Sequence, residues 1–388
     1  VLLRETPETR TGRRKARRRK TAFVLACILV AGGVVSGAIM LPHRSHSGAP
    51  RAATQGARNQ TAVLFATTAP GADGADSLTL FVSDPRGRAP VAVFLPVGTL
   101  APIPSQGVDT IGSALTHGDE LLARLTVANL LGVRVADSVT FSTAALQLAL
   151  DSLGGIDVDV EEQLFDEHAD GTRTLAFPLG ANHLSAAQAV RYMTMRSDNE
   201  LDRFVRARKT FEAMFARGAQ RVADAVRAEP GTRALAAVWR AFAAAAPAAR
   251  TYDVLPADPV GAGPDEVYRP VASKIDEMVM RDLASLLPVA GVAPSARPRI
   301  ELRNGIGSPQ AGERAAARLI PAGFRIEVTG NAPQFGNVRT QIVVYGDDVS
   351  SASLGARLRS ALGAGSVVAG ARTQTIVDAT VVLGEDFQ

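Results

Sequence analysis

A chain of 388 residues has room for about two or three ordinary domains, and 46% hydrophobic with 21% charged residues excludes wholesale disorder. The net charge of +4 hides an asymmetry: residues 1–20 hold nine Arg or Lys against two Glu, and everything beyond them sums to −3. A nucleic-acid binder carries its basic surface on the folded domain, so a basic tail on a mildly acidic body argues against nucleic acid as a partner.

Residues 1–20 are followed by an uncharged run, Thr21–Leu41, of 21 residues. As a helix it would span about 31 Å, enough for the hydrocarbon core of a bilayer. A cleaved signal peptide would have a shorter apolar region and a small-residue cleavage site. The run therefore predicts a single transmembrane helix, with the Arg-rich tail held inside by the positive-inside rule. Cys27 lies within it and is the only cysteine, so the body can form no internal disulfide. Residues 42–60 are small, polar and basic and read as a flexible linker.

From Thr61 the pattern alternates between strands and helices. TAVLFATT and SLTLFVSDP carry apolar residues on both faces, as strands of a buried sheet do, and PRGRAPVAVFLP reads as a turn and a third strand. Leu121–Leu131 and Ala144–Leu153 show the three- and four-residue spacing of amphipathic helices. VADSVTF between them is strand-like, and GGIDVDV alternates as a half-buried strand should. Ser185 is placed to cap a helix running to Met193, and Asp202–Ala216 is a further helix. Residues 219–249 are Ala- and Arg-rich and helical in pattern. TYDVLPADPVGAGPDEVYRP reads as strand and loop, and Val271–Leu287 as an amphipathic helix. The Pro-rich stretch 288–298 reads as a linker. Beyond it, RIELRNG, Gln310–Ile320, FRIEVTG, VRTQIVVYG, Ala352–Leu362 and TIVDATVVLG follow the order β-α-β-β-α-β. That order predicts a small α+β ferredoxin-like domain over 299–388.

The stretch TVANLLGVRVADSVTFSTAALQLALDSLGGIDVDVEE, followed by LGANHLSAAQAVRYMTMR, resembles the central region of the LytR-CpsA-Psr (LCP) family. The resemblance extends over 61–287 and implies an α/β domain with a central sheet flanked by helices. From Arg299 to Phe387 the chain is similar to the LytR C-terminal domain, through Asn304-Gly305, Gly323-Phe324 and the closing Val-Val-Leu-Gly-Glu-Asp-Phe.

Family membership implies transfer of a glycopolymer from undecaprenyl pyrophosphate to a peptidoglycan hydroxyl. Such chemistry asks for Arg forks on the phosphates, carboxylate-held Mg²⁺ and an apolar slot for the polyprenyl tail. The resemblance carries phosphate contacts to Arg196, Arg203 and Arg206. It makes Asp76 a metal-ligand candidate, with Asp73 as a substitute. Other charged positions are lost: Thr68 stands for an Asp, Val97 and Gly98 for an Arg and an Asp, and Thr194 for an Arg; Gly74 replaces the Arg before Asp76, and Ala207 a Gln. His183 lacks metal-ligand neighbours in sequence and reads as a packed turn residue, and NGIGSPQAG around Asn304 has neither GxGxxG nor a P-loop Lys.

Three readings follow. One is a pseudoenzyme of the cell envelope that still binds polyprenyl-linked glycan, peptidoglycan precursors or another LCP ligase. A second is an active phosphotransferase of cell-wall biogenesis, and a third a structural docking protein. All three place the body outside the cytoplasmic membrane. A reporter active only in the cytoplasm, fused after Gln388, is expected to be silent; full reporter activity would overturn this topology.

Overall fold

The computed structural model describes residues 60–388 apart from 73, 85–87, 169, 196–199, 228–230, 262–265, 309, 347–348, 372–373 and 388. The basic tail, the Thr21–Leu41 segment and nearly all of the 42–60 linker lie outside the described residues. Among the described residues no helix is long and apolar enough to cross a membrane.

The first domain is built on a five-stranded sheet in the order Thr251–Val254, Val91–Leu95, Ser77–Ser83, Thr61–Thr68, Asp137–Ser142. The three middle strands are antiparallel, and the two outer strands pair parallel to their neighbours. Doubly apolar strands have to be covered twice, and they are. Val63, Phe65, Phe81 and Phe94 face one core, while Leu64, Ala66, Leu80 and Val93 face another. Helices Thr143–Ser152, Ala186–Thr194, Glu200–Ala216, Ala219–Arg227 and Arg233–Ala244 contribute to the first core, and Glu120–Leu131 with Ala272–Asp282 to the second. GGIDVDV forms the strand Ile156–Val160, alternately buried and exposed as its sequence predicts, and pairs with Gly180–Leu184. Ser185 caps the following helix in a full capping box with Gln188.

The first core is aromatic. Phe65, Phe81, Phe141, Phe211, Phe215, Trp239 and Phe242 are fully buried. Their ring centroids lie 5.0–6.4 Å apart, at the spacing of rings in direct contact.

Two expectations are corrected. Glu120–Leu131 is not a one-faced amphipathic helix: Leu122, Ala123, Val127 and Leu131 enter the aliphatic core beneath the sheet, while Leu125 and Ala128 enter the core of the C-terminal domain. A helix apolar on most of its circumference is buried between layers. The C-terminal domain, in turn, is not ferredoxin-like. Its sheet has five strands, ordered Arg325–Asn331, Arg299–Asn304, Ala379–Leu383, Gln341–Val344, Ser366–Ala369. A split βαβ unit requires a strand between the two it connects. Here Arg299–Asn304 pairs directly and in parallel with Arg325–Asn331, as Gln341–Val344 does with Ser366–Ala369, and Ala379–Leu383 separates the two units. The strand Ser366–Ala369 is short and exposed at every position, so it leaves no burial pattern to read.

The 288–298 stretch is packed rather than free. Arg297 is buried and donates to the carbonyls of Pro294, Phe324 and Asn129. Burial pushes its guanidinium down to about 10. Asn129 meets the backbone of Ile326 twice, donating to its carbonyl at 2.8 Å and accepting from its N–H at 2.9 Å. Replacing Asn129 by Leu keeps the bulk but leaves both Ile326 groups unpaired. Each should cost about 1–3 kcal/mol, so the urea midpoint is expected to fall markedly. An unchanged midpoint would show that this contact does not join the domains energetically.

Candidate functional site

One end of the central sheet gathers the positions singled out in the sequence. Thr68 closes one strand, Asp76 precedes the next, and Val97 and Gly98 follow the third. Backbone bonds hold them together: Asp76 N–H donates to Thr67 at 2.7 Å, Ala75 N–H to Gly112 at 2.9 Å, and Gly112 N–H to Val97 at 2.9 Å. Gly74 has φ +120°, and a Cβ there would stand 2.7 Å from the Gly112 carbonyl. The Arg lost before Asp76 therefore cannot be restored at Gly74 without moving the backbone. Gly98 is equally confined, since its Cβ would lie 2.8 Å from the Glu266 carbonyl.

Arg203 reaches this end from the first turn of Glu200–Ala216. Its Nη2 donates to the Asp76 carbonyl at 2.9 Å and lies 3.7 Å from the Asp76 carboxylate. Its Nη1 meets both oxygens of Glu200, at 3.1 and 3.2 Å. The Arg203 side chain is only 13% exposed, and its Nε is buried without a partner. Burial pushes the Glu200 carboxyl up, with Arg203 opposing. Tyr268 adjoins the group: its N–H donates to the Gly98 carbonyl at 3.0 Å and its hydroxyl to Glu266 at 2.6 Å. Burial and Glu266 together raise the Tyr268 phenol.

Arg206, one turn further on, is differently engaged. It is buried, its Nε donates to the Tyr192 carbonyl at 3.0 Å and its Nη2 donates to the Met195 carbonyl. These carbonyls end the Ala186–Thr194 helix, so Arg206 satisfies groups that the helix leaves open. Two of its three guanidinium nitrogens are thus committed to backbone carbonyls. Thr194 turns its hydroxyl back to the Val190 carbonyl at 2.9 Å. Arg196 and Asp73 lie outside the described residues.

For a divalent cation the donor set is thin. Asp76 and Glu200 both face Arg203, and no three His, Cys, Asp or Glu side chains converge as a metal-binding group among the described residues. The residues described do not fit a carboxylate-held Mg²⁺. His183 sits on the strand Gly180–Leu184, bonded to Asp157 at 2.6 Å rather than packed in a turn. Asn304 staples its own loop, accepting from Ile306 and Gly307 and donating to Ser308. A cavity of about 370 Å³ lined by Arg124, Leu125, Leu286 and Ile320 shares no residue with this site.

The residues that sequence reasoning passed over are Glu200, Glu266 and Tyr268. Glu200 stands three positions before Arg203, a spacing at which a helical ion pair is readable. Glu266 and Tyr268 arrive through tertiary folding and leave no local trace.

The LytR_cpsA_psr family matches residues 68–225, and the LytR cell envelope-related transcriptional attenuator family matches 297–387. The chain belongs to the LCP family and carries a LytR C-terminal domain. The crystal structure of B. subtilis TagV aligns at 19% identity and TM-score 0.50, covering 60% of this chain and 98% of that one. The LytR-Csp2A-Psr enzyme from Actinomyces oris aligns at 20% identity and TM-score 0.46, over 57% of this chain and 90% of its own. B. subtilis TagU aligns at 21% identity and TM-score 0.43, over 59% and 97%. The TagV likeness supports the α/β fold of the LCP domain. No curated protein matches the sequence.

Within the LCP domain, Arg206→Met is expected to destabilise the fold by about 2–4 kcal/mol, because two helix-end carbonyls lose charged donors at once. Thermal unfolding measures this; a shift within error would show the guanidinium to be dispensable to the fold.

Proposed function

We propose that this is a membrane-anchored, extracytoplasmic LCP protein with a degraded catalytic site. In this reading its N-terminus is cytoplasmic. The body binds polyprenyl-linked wall precursors, or a partner LCP ligase, through Arg203 and Arg196. The observation that carries the reading is the state of Arg203. The guanidinium retained at a family phosphate position is held by Asp76 and Glu200, and the neighbouring positions Thr68, Val97 and Gly98 carry no charge. Phosphoryl transfer requires the protein to neutralise charge that develops on the phosphate oxygens. One guanidinium flanked by carboxylates supplies little of that.

A structural docking role is favoured by a separate observation. The aromatic face of the sheet, where an isoprenoid tail could lie, is filled by the protein's own rings. Recovery of polyprenyl lipid with protein purified from membranes would favour precursor binding; its absence, together with retained envelope partners, would favour docking.

For catalysis the expected outcome is near-background transfer. An arginine acting on transition-state charge is worth on the order of 10³-fold, and several such groups are missing together. Purified protein given Mg²⁺, a polyprenyl-pyrophosphate glycan and peptidoglycan should transfer almost nothing. Thr68→Asp, Val97→Arg and Thr194→Arg combined test recovery, whereas Gly98→Asp would collide with the Glu266 carbonyl. Robust Mg²⁺-dependent turnover by the unaltered chain would refute the degraded-site reading.

A further inference from the structure

We infer that Glu200 is an internal anion occupying the Arg203 fork in the place of a phosphate, so that it sets how tightly, and against which anions, the site binds. The inference rests on the phosphate-binding reading of Arg203.

The geometry is that of an occupied subsite. A guanidinium recognises phosphate by offering paired N–H donors to its oxygens. On Arg203 one terminal nitrogen, Nη1, meets both oxygens of Glu200, and the other, Nη2, is given to Asp76. An incoming phosphate oxygen thus competes with a tethered carboxylate already at hydrogen-bond distance. It also meets the charge of Asp76 and of Glu266, the latter held on Tyr268. Arg206 lies one turn away but is engaged by the Tyr192 and Met195 carbonyls.

Glu200 is not a comfortable occupant. It is 20% exposed, and burial raises its carboxyl despite the Arg203 charge. Its ionised form is therefore only partly compensated, and a ligand that brings more oxygens and more negative charge to the same fork can displace it. The buried, unpartnered Nε of Arg203 adds a donor that the internal carboxylate leaves unused. A pyrophosphate head group suits such a site better than a carboxylate or a sulfate monoester, because it brings more oxygens and more charge with which to displace Glu200.

The test is calorimetric titration of the full chain with farnesyl pyrophosphate and with inorganic pyrophosphate, at constant ionic strength. Glu200→Gln keeps the shape and removes the charge, and affinity for both probes is expected to rise about tenfold or more. Adding Arg203→Ala should abolish the gain, since the freed guanidinium is its source. Glu200→Asp, which shortens the carboxylate but keeps its charge, guards against misfolding of the amide variant and should give a smaller gain. Asp224→Asn, on the exposed side of another helix, controls for net charge and should change nothing. Unchanged affinity in both Glu200 variants, with the parent binding normally, would overturn the inference and leave the phosphate-binding reading standing. A gain that survives Arg203→Ala would also overturn it. Absence of binding by the parent and by every variant would overturn the phosphate-binding reading itself, and the inference with it.

Discussion

The structure depends on one helix, Glu120–Leu131, being buried on opposite sides. Its Leu122, Val127 and Leu131 close the aliphatic core beneath the central sheet, and its Leu125 and Ala128 complete the C-terminal core. Removing either domain would return one apolar side of this helix to water. The polar residues on it have correspondingly specific tasks. Thr126 bonds back to the Leu122 carbonyl, and Asn129 pairs with Ile326 as a strand residue would. Arg297 then closes the seam by donating to the Asn129 carbonyl. The LytR C-terminal domain is thus integrated with the LCP domain rather than hung from it.

The same rigidity frames the candidate site. Strand ends supply Thr68, Asp76 and Val97, and the sheet behind them is backed by a packed aromatic core, so these backbone positions have little freedom to shift. Losses of charge at such positions are not readily made good by neighbours. At Gly74 and Gly98 the local backbone leaves no space for the family's side chains at all. The retained arginines are engaged within the protein instead: Arg203 by Asp76 and Glu200, and Arg206 by the end of a helix.

Much of this was legible in the residues. The doubly apolar strands announced a sheet covered on both faces, GGIDVDV announced its own half-burial, and Ser185 announced a helix start. The spaced motifs carried the family, because they span many elements whose order is itself a constraint. The strand Ser366–Ala369 was not legible, since it is held by backbone pairing alone and buries no side chain that would imprint a period.

By itself, then, the sequence determined the layered α/β architecture, the family and the set of charged residues available. The architecture follows from hydrophobic periodicity, which acts along the chain, and the family from the resemblance of its spaced motifs. Only the tertiary structure decided which charges meet. Arg203 and Arg206 are three residues apart on one helix and look equivalent in sequence, yet one reaches Asp76, 127 positions earlier, and the other closes a neighbouring helix. That choice is made by packing and by the need of buried carbonyls for donors, neither of which has a local signature.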